Sequence, residues 1–330
     1  SRSDIVDIIS GYIKLKKNGS SYVGLCPFHN EKSPSFSVSP GKQLYHCFGC
    51  GVGGNVITFV MEYENYTFLE AVKYLADKAG MQLPETSYSE EEKKNIISLV
   101  VTRVRGRIPI VLGVGGNCTR SVVEKLKTDN FEGIDAILSV VPYYNKPSQE
   151  GIYQHYKAIA NATHLPIVLY NVPGRTGVNM TAETTLRIAR EFDNVIAVKE
   201  ASGNITQMDD IIKNKPARFN VISGDDGITF PLMTLGAVGV ISVIGNAFPR
   251  EFSRMVRLAL AGDYDSARTI HHSFTELFSL LFVDGNPAGA KSMLNMMGFI
   301  ENKLRLPLVP TRIVTYEKIR EVLRQLSIKC

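Results

Sequence analysis

Residues 195–202 read Val-Ile-Ala-Val-Lys-Glu-Ala-Ser. The four apolar residues that open this stretch are typical of a parallel strand buried on both faces. Lys199 stands inside the run, and a lysine in a buried strand is costly unless it is paired or neutral. Burial lowers the pKa of a lysine and leaves a free amine, which can attack a carbonyl to form a Schiff base. Two alternatives stay open: pairing of Lys199 with the adjacent Glu200, and a side chain that points out of the interior.

Apolar runs of this kind recur along the chain with helical spacers between them. Each run is almost continuously apolar and ends in Gly, Pro, Asn or Asp, which predicts a parallel strand passing into a loop. Spacers such as SVVEKLKTD (121–129) and AETTLRIAREF (182–192) are amphipathic and predict crossover helices. The runs are IPIVLGVGGN from Ile108, AILSVVPYYN from Ala136, IVLYNVP from Ile167, VIAVKEASGN from Val195, FNVISGDD from Phe219 and GVISVIGN from Gly239.

The alternation of strands and helices predicts an α/β fold of the (β/α)8 type, the TIM barrel. A closed barrel of this type has eight strands, whereas six runs are found. The chain after Phe252 has a helical pattern throughout, so the other two strands are not expected there. We therefore expect an incomplete, six-stranded barrel with C-terminal helices, and functional groups where its strands end.

Polar side chains follow two of the predicted strands. Tyr170 and Arg175 lie in VLYNVPGRTG, and Tyr143 and Tyr144 lie in VVPYYNKPSQEG. The Tyr170 hydroxyl could lie near Lys199 and relay protons, and Arg175 could hold a carboxylate through two parallel hydrogen bonds. Lone tyrosines are usually structural, but several that converge on one barrel mouth with a lysine favour a catalytic site.

A second motif lies upstream, where CPFHNEKSPSF (26–36) is followed by LYHCFGCGVGGN (44–55). It contains two ligand pairs, each with two intervening residues, a spacing that lets both members of a pair reach one ion. Three thiolates and one imidazole suit a closed, structural zinc site. His46 is a further candidate, but the spacing of the first pair favours Cys50. The predicted ligands are Cys26, His29, Cys47 and Cys50.

The sequence around these ligands, SFSVSP and QLYHCF, alternates like short strands. Its aromatic residues are Phe28, Phe36, Tyr45 and Phe48, and residues 14–50 contain five lysines against Glu31 alone. Aromatic rings beside lysines can stack bases and neutralise phosphates of a single-stranded nucleic acid. The alternative is that the rings form the small core that a zinc module needs.

The stretch of residues 1–86 resembles the N-terminal zinc-binding domain of the bacterial replicative DNA primase. The ligand pairs, the EKSPSF insert and the HCFGCG ending carry this resemblance. It implies a zinc ribbon that recognises single-stranded template, with the four predicted ligands in that role. Nothing after residue 90 resembles the carboxylate cluster of the polymerising domain, so the alternative function of the chain is a DNA-binding zinc module without primer synthesis.

Residues 90–330 resemble the dihydrodipicolinate synthase family, pyruvate-dependent lyases of lysine and diaminopimelate biosynthesis. The matching motifs are PYYNKPSQEG, YNVPGRTG, VKEASGN and SGDD. The resemblance implies condensation of pyruvate with aspartate semialdehyde, no organic cofactor, and a homo-oligomer that is a dimer or a tetramer. It also implies that Lys199 binds pyruvate as a Schiff base, Tyr170 relays protons, Tyr144 completes the relay across a subunit contact, Arg175 binds the semialdehyde carboxylate and Ile241 lines the pyruvate pocket.

The first two strands of that family, and the Gly-Thr-Thr motif that ends the second, have no counterpart here. The motif supplies a threonine of the proton relay, so we expect impaired turnover. Ser89 and the following EEEKK (90–94) predict a helix start, and this pentapeptide fits both families. We therefore interpret the chain as a chimera joined there. The predicted parts are a zinc-ribbon domain (1–86), a junction (87–95), a truncated barrel (96–248) and a C-terminal helical region (249–330).

Composition sets the remaining expectations. The 330 residues are 44% hydrophobic, enough for one large or two smaller domains, and no run approaches the about 18 apolar residues of a membrane span. Five cysteines, three of them close together, suit a reducing cytosol better than a disulfide scaffold. We expect a cytoplasmic protein with structural zinc, no membrane partner, and single-stranded DNA as a further partner of the first domain.

Overall fold

The computed structural model of the protein describes residues 4–64, 66, 68–81 and 89–326. The chain divides into two compact units, Ser1–Glu85 and Thr86–Cys330. The predicted domain boundary between residues 86 and 87 lies outside the described residues. The finer division of the second unit at residues 95 and 248 stays a prediction.

The first unit is built around a small antiparallel sheet. Its five strands are ordered as in the chain, and each pairs with its sequence neighbour. The short alternating patterns of the sequence therefore form strands as predicted. The elements are α1 (Ile5–Ser10), β1 (Lys16–Asn18), β2 (Ser21–Gly24), β3 (Phe36–Ser39), β4 (Leu44–Cys47), β5 (Gly53–Gly54), α2 (Val56–Glu64) and α3 (Phe68–Lys78).

Aromatic rings fill the interior of this unit. Phe36 and Tyr45, which belong to neighbouring strands, stack with ring centres 5.0 Å apart, and Phe59 of α2 meets the Tyr45 ring edge-on at 5.5 Å. All three are buried, and Phe28 packs against them as a partly buried ring. Phe48, by contrast, is 77% exposed. Three of the four aromatic residues noted in the sequence therefore serve the small core rather than a stacking surface.

The second unit begins with helix α4 (Glu90–Val104), which starts as predicted. The Ser89 hydroxyl accepts a hydrogen bond from the Glu92 amide at 3.1 Å, and the Glu92 carboxylate accepts one from the Ser89 amide at 3.0 Å. This reciprocal pair satisfies two of the backbone donors that every helix start leaves open. Glu92 also accepts two hydrogen bonds from Arg305, which fastens the helix start to the C-terminal part of the unit.

A sheet of six parallel strands forms the centre of the second unit, one strand for each apolar run. Its order follows the chain, so each strand pairs with the next. The prediction of six strands is confirmed for the described residues. The strands form a half-barrel sheet. The strands are β6 (Val111–Gly113), β7 (Ala136–Val140), β8 (Ile167–Asn171), β9 (Val195–Glu200), β10 (Asn220–Ser223) and β11 (Gly239–Val240).

Helices connect the strands and follow the last of them. Apolar residues of the strands and of these helices form one continuous core, with Ile137, Leu169 and Val198 fully buried in it. No helix among the described residues has the length and apolarity needed to cross a bilayer. The helices are α5 (Thr119–Thr128), α6 (Gln149–Ala160), α7 (Pro173–Thr176), α8 (Ala182–Glu191), α9 (Ile205–Asn214), α10 (Asp226–Thr234), α11 (Pro249–Leu260), α12 (Tyr264–Ser273), α13 (Thr275–Leu280), α14 (Ala288–Met296) and α15 (Ile313–Gln325), with a 3₁₀ turn at Ile244–Asn246.

The outer strands of the six differ from the central ones. Within the described part of the chain, β6 and β11 each pair on one side only. Val111 of β6 is 46% exposed, whereas four of the six residues of β9 are buried. The backbone hydrogen bonds of the sheet are therefore best shielded from solvent at β8 and β9, the strands that carry Tyr170 and Lys199.

Candidate active site and candidate metal centre

Lys199 lies on the central strand β9, with the next residue on the opposite face of the sheet. Successive side chains of a strand alternate between faces, and Glu200 is fully buried among amides. Its carboxylate accepts hydrogen bonds from the side chains of Asn171 (3.0 and 3.1 Å) and Gln207 (3.1 Å) and from the Ser202 backbone (2.7 Å). The alternative in which Glu200 pairs with Lys199 is therefore wrong, because strand alternation separates the two side chains.

Tyr170 is the nearest functional neighbour of Lys199. The two residues are register partners on β8 and β9, and parallel pairing places their side chains on one face. The Lys199 amine lies 4.2 Å from the centre of the Tyr170 ring. The sequence-based expectation that the two lie close together agrees with this geometry.

The surroundings of Lys199 favour its neutral form. Burial lowers the pKa of Lys199, the negative charge of Asp226 opposes that effect, and the positive charge of Arg175 adds to it. Burial also raises the pKa of Tyr170, against a smaller lowering by Arg175. The pair can therefore offer a free amine next to a protonated phenol, which is what nucleophilic attack on a carbonyl with assisted proton transfer requires.

Arg175 and Tyr144 occupy the loops beyond the strand ends. Arg175 lies on the short helix α7 and is exposed. Tyr144 is 85% exposed and has a φ of 69°, which few residues other than glycine adopt. Its backbone amide donates to the Thr176 carbonyl at 3.2 Å, so the loop after β7 is tied to the loop after β8. No described contact joins the Tyr144 ring to Lys199.

The segment after β11 carries the last predicted residue, Ile241. Its backbone amide donates to the Ser223 carbonyl at 2.9 Å, and its side chain is half-buried. The segment is also held by Asp226, a residue to which sequence reasoning gave no role. Its carboxylate accepts hydrogen bonds from the Val243 and Ile244 amides at 3.0 and 2.7 Å. The signal in the sequence was the pair of aspartates that ends the fifth apolar run.

The predicted metal ligands of the first unit lie together. The candidate donor atoms of Cys26, His29, Cys47 and Cys50 all lie within 4.8 Å of one another. The Sγ atoms of Cys26 and Cys50 are 3.8 Å apart, and Cys47 Sγ lies 3.8 Å from His29 Nδ1. A tetrahedron with zinc–sulfur bonds of about 2.3 Å has edges of about 3.8 Å. The donor set and its spacing therefore fit zinc.

Glu31 organises the surroundings of these ligands, and sequence reasoning noted only its charge. Its carboxylate lies 3.3 Å from His29 Nε2 and accepts hydrogen bonds from the backbone amides of Cys26 (2.7 Å) and Ser35 (3.2 Å). A carboxylate on the outer nitrogen fixes the orientation of a ligating imidazole. Gly49 leaves the room that the ring needs, since a Cβ there would lie 2.6 Å from His29 Nε2.

Two family models match the chain. The Dihydrodipicolinate synthetase family matches residues 85–326, and the CHC2 zinc finger matches residues 1–91. The second model is that of the zinc ribbon named for DNA primase. The chain is thus a two-part protein, as the change of pattern near residue 90 predicted.

Curated relatives match most of the chain. The 4-hydroxy-tetrahydrodipicolinate synthase of Phocaeicola vulgatus is 78% identical over 251 residues, which are 76% of this chain and 84% of that protein. The enzyme of the same name from Azobacteroides pseudotrichonymphae is 60% identical over 285 residues, 86% of this chain and 95% of that protein. These relatives are carbon–oxygen lyases of lysine biosynthesis.

Solved structures of dihydrodipicolinate synthases share the fold of this chain. The dihydrodipicolinate synthase of Aquifex aeolicus superposes with a TM-score of 0.71 at 40% identity, covering 74% of this chain and 83% of that one. The synthase of Thermotoga maritima gives 0.71 at 42%, covering 73% and 82%. Because the family model spans residues 85–326, which include the strand of Lys199 and its neighbours, this chain belongs to the dihydrodipicolinate synthetase family.

Proposed function

We propose that the second unit condenses pyruvate with aspartate semialdehyde through a Schiff base on Lys199. The observation that carries the proposal is the amine of Lys199, held on a central strand beside Tyr170. The chain is 78% identical to a 4-hydroxy-tetrahydrodipicolinate synthase over 251 residues. Desolvation favours the free amine that the reaction needs.

The proposed reaction begins at the Lys199 nitrogen. Its lone pair forms a bond to the keto carbon of pyruvate, and loss of water from the adduct leaves a cationic iminium. Loss of a proton from the pyruvate methyl group then gives an enamine. The enamine carbon attacks the aldehyde of the second substrate and forms the new carbon–carbon bond. The amine of the semialdehyde then displaces Lys199, which closes the ring and frees the enzyme.

Four further residues have proposed roles in this reaction. Tyr170 exchanges protons with the carbinolamine, since its ring lies against the Lys199 amine. Arg175 binds the carboxylate of the semialdehyde. Ile241 lines the pyruvate pocket beside the segment that Asp226 anchors. Tyr144, exposed and held at positive φ, is suited to complete the proton relay of a second copy of the chain.

We propose that turnover is impaired because the sheet has six strands among the described residues. The threonine that the family resemblance assigns to the proton relay has no counterpart at a strand end before Lys199. Loss of one general acid–base link typically costs about 10²–10⁴ in rate. Formation of the imine needs only an accessible neutral amine, so we expect it to be less affected than condensation.

The first unit has a structural role in this proposal. Cys26, His29, Cys47 and Cys50 would hold one zinc ion with no open position. Binding of single-stranded DNA by its lysines stays a prediction. Of the four aromatic residues, Phe48 alone has a largely exposed ring, and a stacking platform needs several.

The test combines trapping with turnover. The full chain is incubated with pyruvate and borohydride, the adduct is mapped by mass spectrometry, and condensation is assayed beside an intact relative. We expect an adduct at Lys199 and condensation lower by orders of magnitude. Lys199→Ala must lose the adduct, whereas Lys213→Ala, at an exposed lysine of α9, must keep it. An adduct that survives Lys199→Ala would refute the site, and turnover equal to the relative's would refute the impairment.

A further inference from the structure

The turn that leads from β10 to Asp226 lies against the Lys199 side chain, since a Cβ on Gly224 would lie 3.1 Å from Lys199 Cε. The charge of Asp226 opposes the effect of burial on the pKa of Lys199. Asp226 opens helix α10 directly after strand β10 and is only 4% exposed, whereas its neighbour Asp225 is exposed. Its Oδ2 atom accepts hydrogen bonds from the Val243 and Ile244 amides, which belong to the segment after β11. One side chain therefore contacts the backbone beside Ile241 and influences the amine on β9.

The other carboxylate oxygen of Asp226 is buried and has no hydrogen-bond partner among the described residues. An unpartnered buried carboxylate oxygen is costly, because it has lost its water without receiving a donor in exchange. Anchoring two amides requires an acceptor but not a full charge, and an asparagine could supply the acceptor through its carbonyl oxygen. A carboxylate at this position, where an amide would anchor the segment equally well, therefore calls for a further reason.

The groups around Lys199 supply that reason. Tyr170 meets the amine from β8, Arg175 adds a positive charge from α7, and Ile222 is its neutral register partner on β10. Asp226 is thus the one negative group among these neighbours. Burial raises the pKa of Asp226 above its ordinary value, and the hydroxyl of Ser242 and the two backbone amides oppose this only in part.

We propose that Asp226 is a positioning residue of the Schiff-base site, whose carboxylate both anchors the segment after β11 and stabilises the cationic iminium formed at Lys199. The inference rests on the proposed Schiff-base function. When water leaves the carbinolamine, the nitrogen carries a positive charge. Deprotonation would give a neutral imine, which withdraws electrons from the pyruvate carbons less strongly than the iminium does. A fixed anion in a buried site stabilises such a cation without reorganisation.

The test separates charge from anchoring. Asp226→Asn keeps a carbonyl oxygen for the two amides and removes the charge, and Asp226→Ser is a second neutral variant should the first not fold. Asp226→Ala removes both functions. Asp225→Asn is the matched control, because it removes the same charge one residue away at an exposed position. Each full-length variant is incubated with pyruvate across pH, reduced with borohydride, and the Lys199 adduct is quantified.

We expect the neutral variants to show a lower midpoint pH for trapping, because Asp226 raises the pKa of Lys199. We also expect the pyruvate concentration for half-maximal trapping to rise on the order of tenfold, since each pKa unit by which an anion stabilises the cation corresponds to a factor of about ten in the equilibrium. Asp225→Asn should match the wild type in both measurements.

The outcomes are distinct. If the neutral variants match the wild type while Asp226→Ala alone is impaired, Asp226 has only an anchoring role and the inference is overturned. A midpoint that moves to higher pH overturns it as well. If the wild type itself forms no adduct at Lys199, the proposed function fails, and the inference fails with it.

Discussion

Tyr170 and Lys199 are register partners on neighbouring parallel strands, and the Lys199 amine lies 4.2 Å from the centre of the Tyr170 ring. Both residues precede the last position of their pairing, where Asn171 faces Glu200. Their separation is thus fixed by the hydrogen-bond ladder of two buried strands rather than by a loop. This placement suits a nucleophile and a proton donor, because catalytic geometry must be held closely.

Replacing Tyr170 by phenylalanine should separate binding from proton transfer. The variant keeps the ring beside Lys199 and loses the hydroxyl, so pyruvate trapping should persist while condensation falls by about 10²–10⁴ relative to the parent chain. Tyr264→Phe, at a partly exposed ring on α12, is the control and should leave both unchanged. Equal condensation by Tyr170→Phe and the parent chain would exclude Tyr170 from the relay.

The charge of Arg175 should be visible in the pH profile of trapping. Arg175 lowers the pKa of Lys199, so Arg175→Gln raises that pKa and reduces the fraction of neutral amine at a given pH. The midpoint of borohydride trapping should move to higher pH. Arg175→Lys preserves the charge and should leave the midpoint close to the original. A midpoint that is unchanged in Arg175→Gln would contradict an electrostatic contact between the two residues.

The metal centre predicts one zinc ion per chain. Cys47→Ser removes a thiolate that lies 3.8 Å from His29 Nδ1, and we expect it to abolish stoichiometric zinc, measured by elemental analysis of the purified full chain. So small a core depends on its metal for folding, so the first unit should also lose protection from proteolysis. Cys118→Ser, in the second unit, should retain one zinc. Retention of zinc by Cys47→Ser would refute the ligand assignment.

Glu31 should strengthen zinc binding without being a ligand. Its carboxylate lies 3.3 Å from His29 Nε2, and outer partners of ligating histidines typically contribute 10–100-fold in metal affinity. Glu31→Gln should therefore still bind one zinc but lose it to a competing chelator at about 10–100-fold lower chelator concentration. Asp7→Asn, at an exposed acidic residue of α1, is the control for the change in charge. An unchanged competition curve for Glu31→Gln would show that Glu31 does not strengthen zinc binding.

The sequence predicted those features that depend on local pattern. Buried parallel strands require nearly continuous apolar runs, so the six strands could be counted before the structure was known. Lys199 was recognisable because it interrupts such a run. The ligand pairs of the first unit were recognisable because a fixed spacing is needed to reach one ion, and their four side chains do lie together.

Features that depend on distant backbone groups could not be predicted in this way. Asp226 accepts hydrogen bonds from amides 17 and 18 residues further along the chain, and no sequence pattern marks that pairing. The partners of Glu200 could not be predicted either. Because Glu200 is adjacent to Lys199 in the sequence, their pairing stayed open as an alternative. Strand alternation places Glu200 on the other face of the sheet, where the side-chain amides of Asn171 and Gln207 donate hydrogen bonds to its carboxylate.

His155 should make the second unit sensitive to mild acid. This residue of α6 is only 3% exposed. Its Nδ1 atom lies 2.8 Å from the Thr119 hydroxyl, and its Nε2 atom has no hydrogen-bond partner among the described residues. Burial lowers the pKa of His155 to about 4. Between that value and the ordinary pKa of about 6.5, the unfolded chain binds a proton that the folded chain does not, so stability falls as pH falls through this range.

The expected loss between pH 7 and pH 5 is about 2 kcal/mol from this one residue. It can be measured as the opening free energy of α6 (Gln149–Ala160) by hydrogen–deuterium exchange at increasing urea. His155→Gln cannot bind the proton, so its opening free energy should depend less on pH by that amount, even if it is lower at pH 7. His164→Gln, at an exposed histidine before β8, should keep the full dependence. If the parent chain and His155→Gln lose the same stability on acidification, the buried ring is not the cause, and the acid sensitivity must come from the carboxylates of the unit.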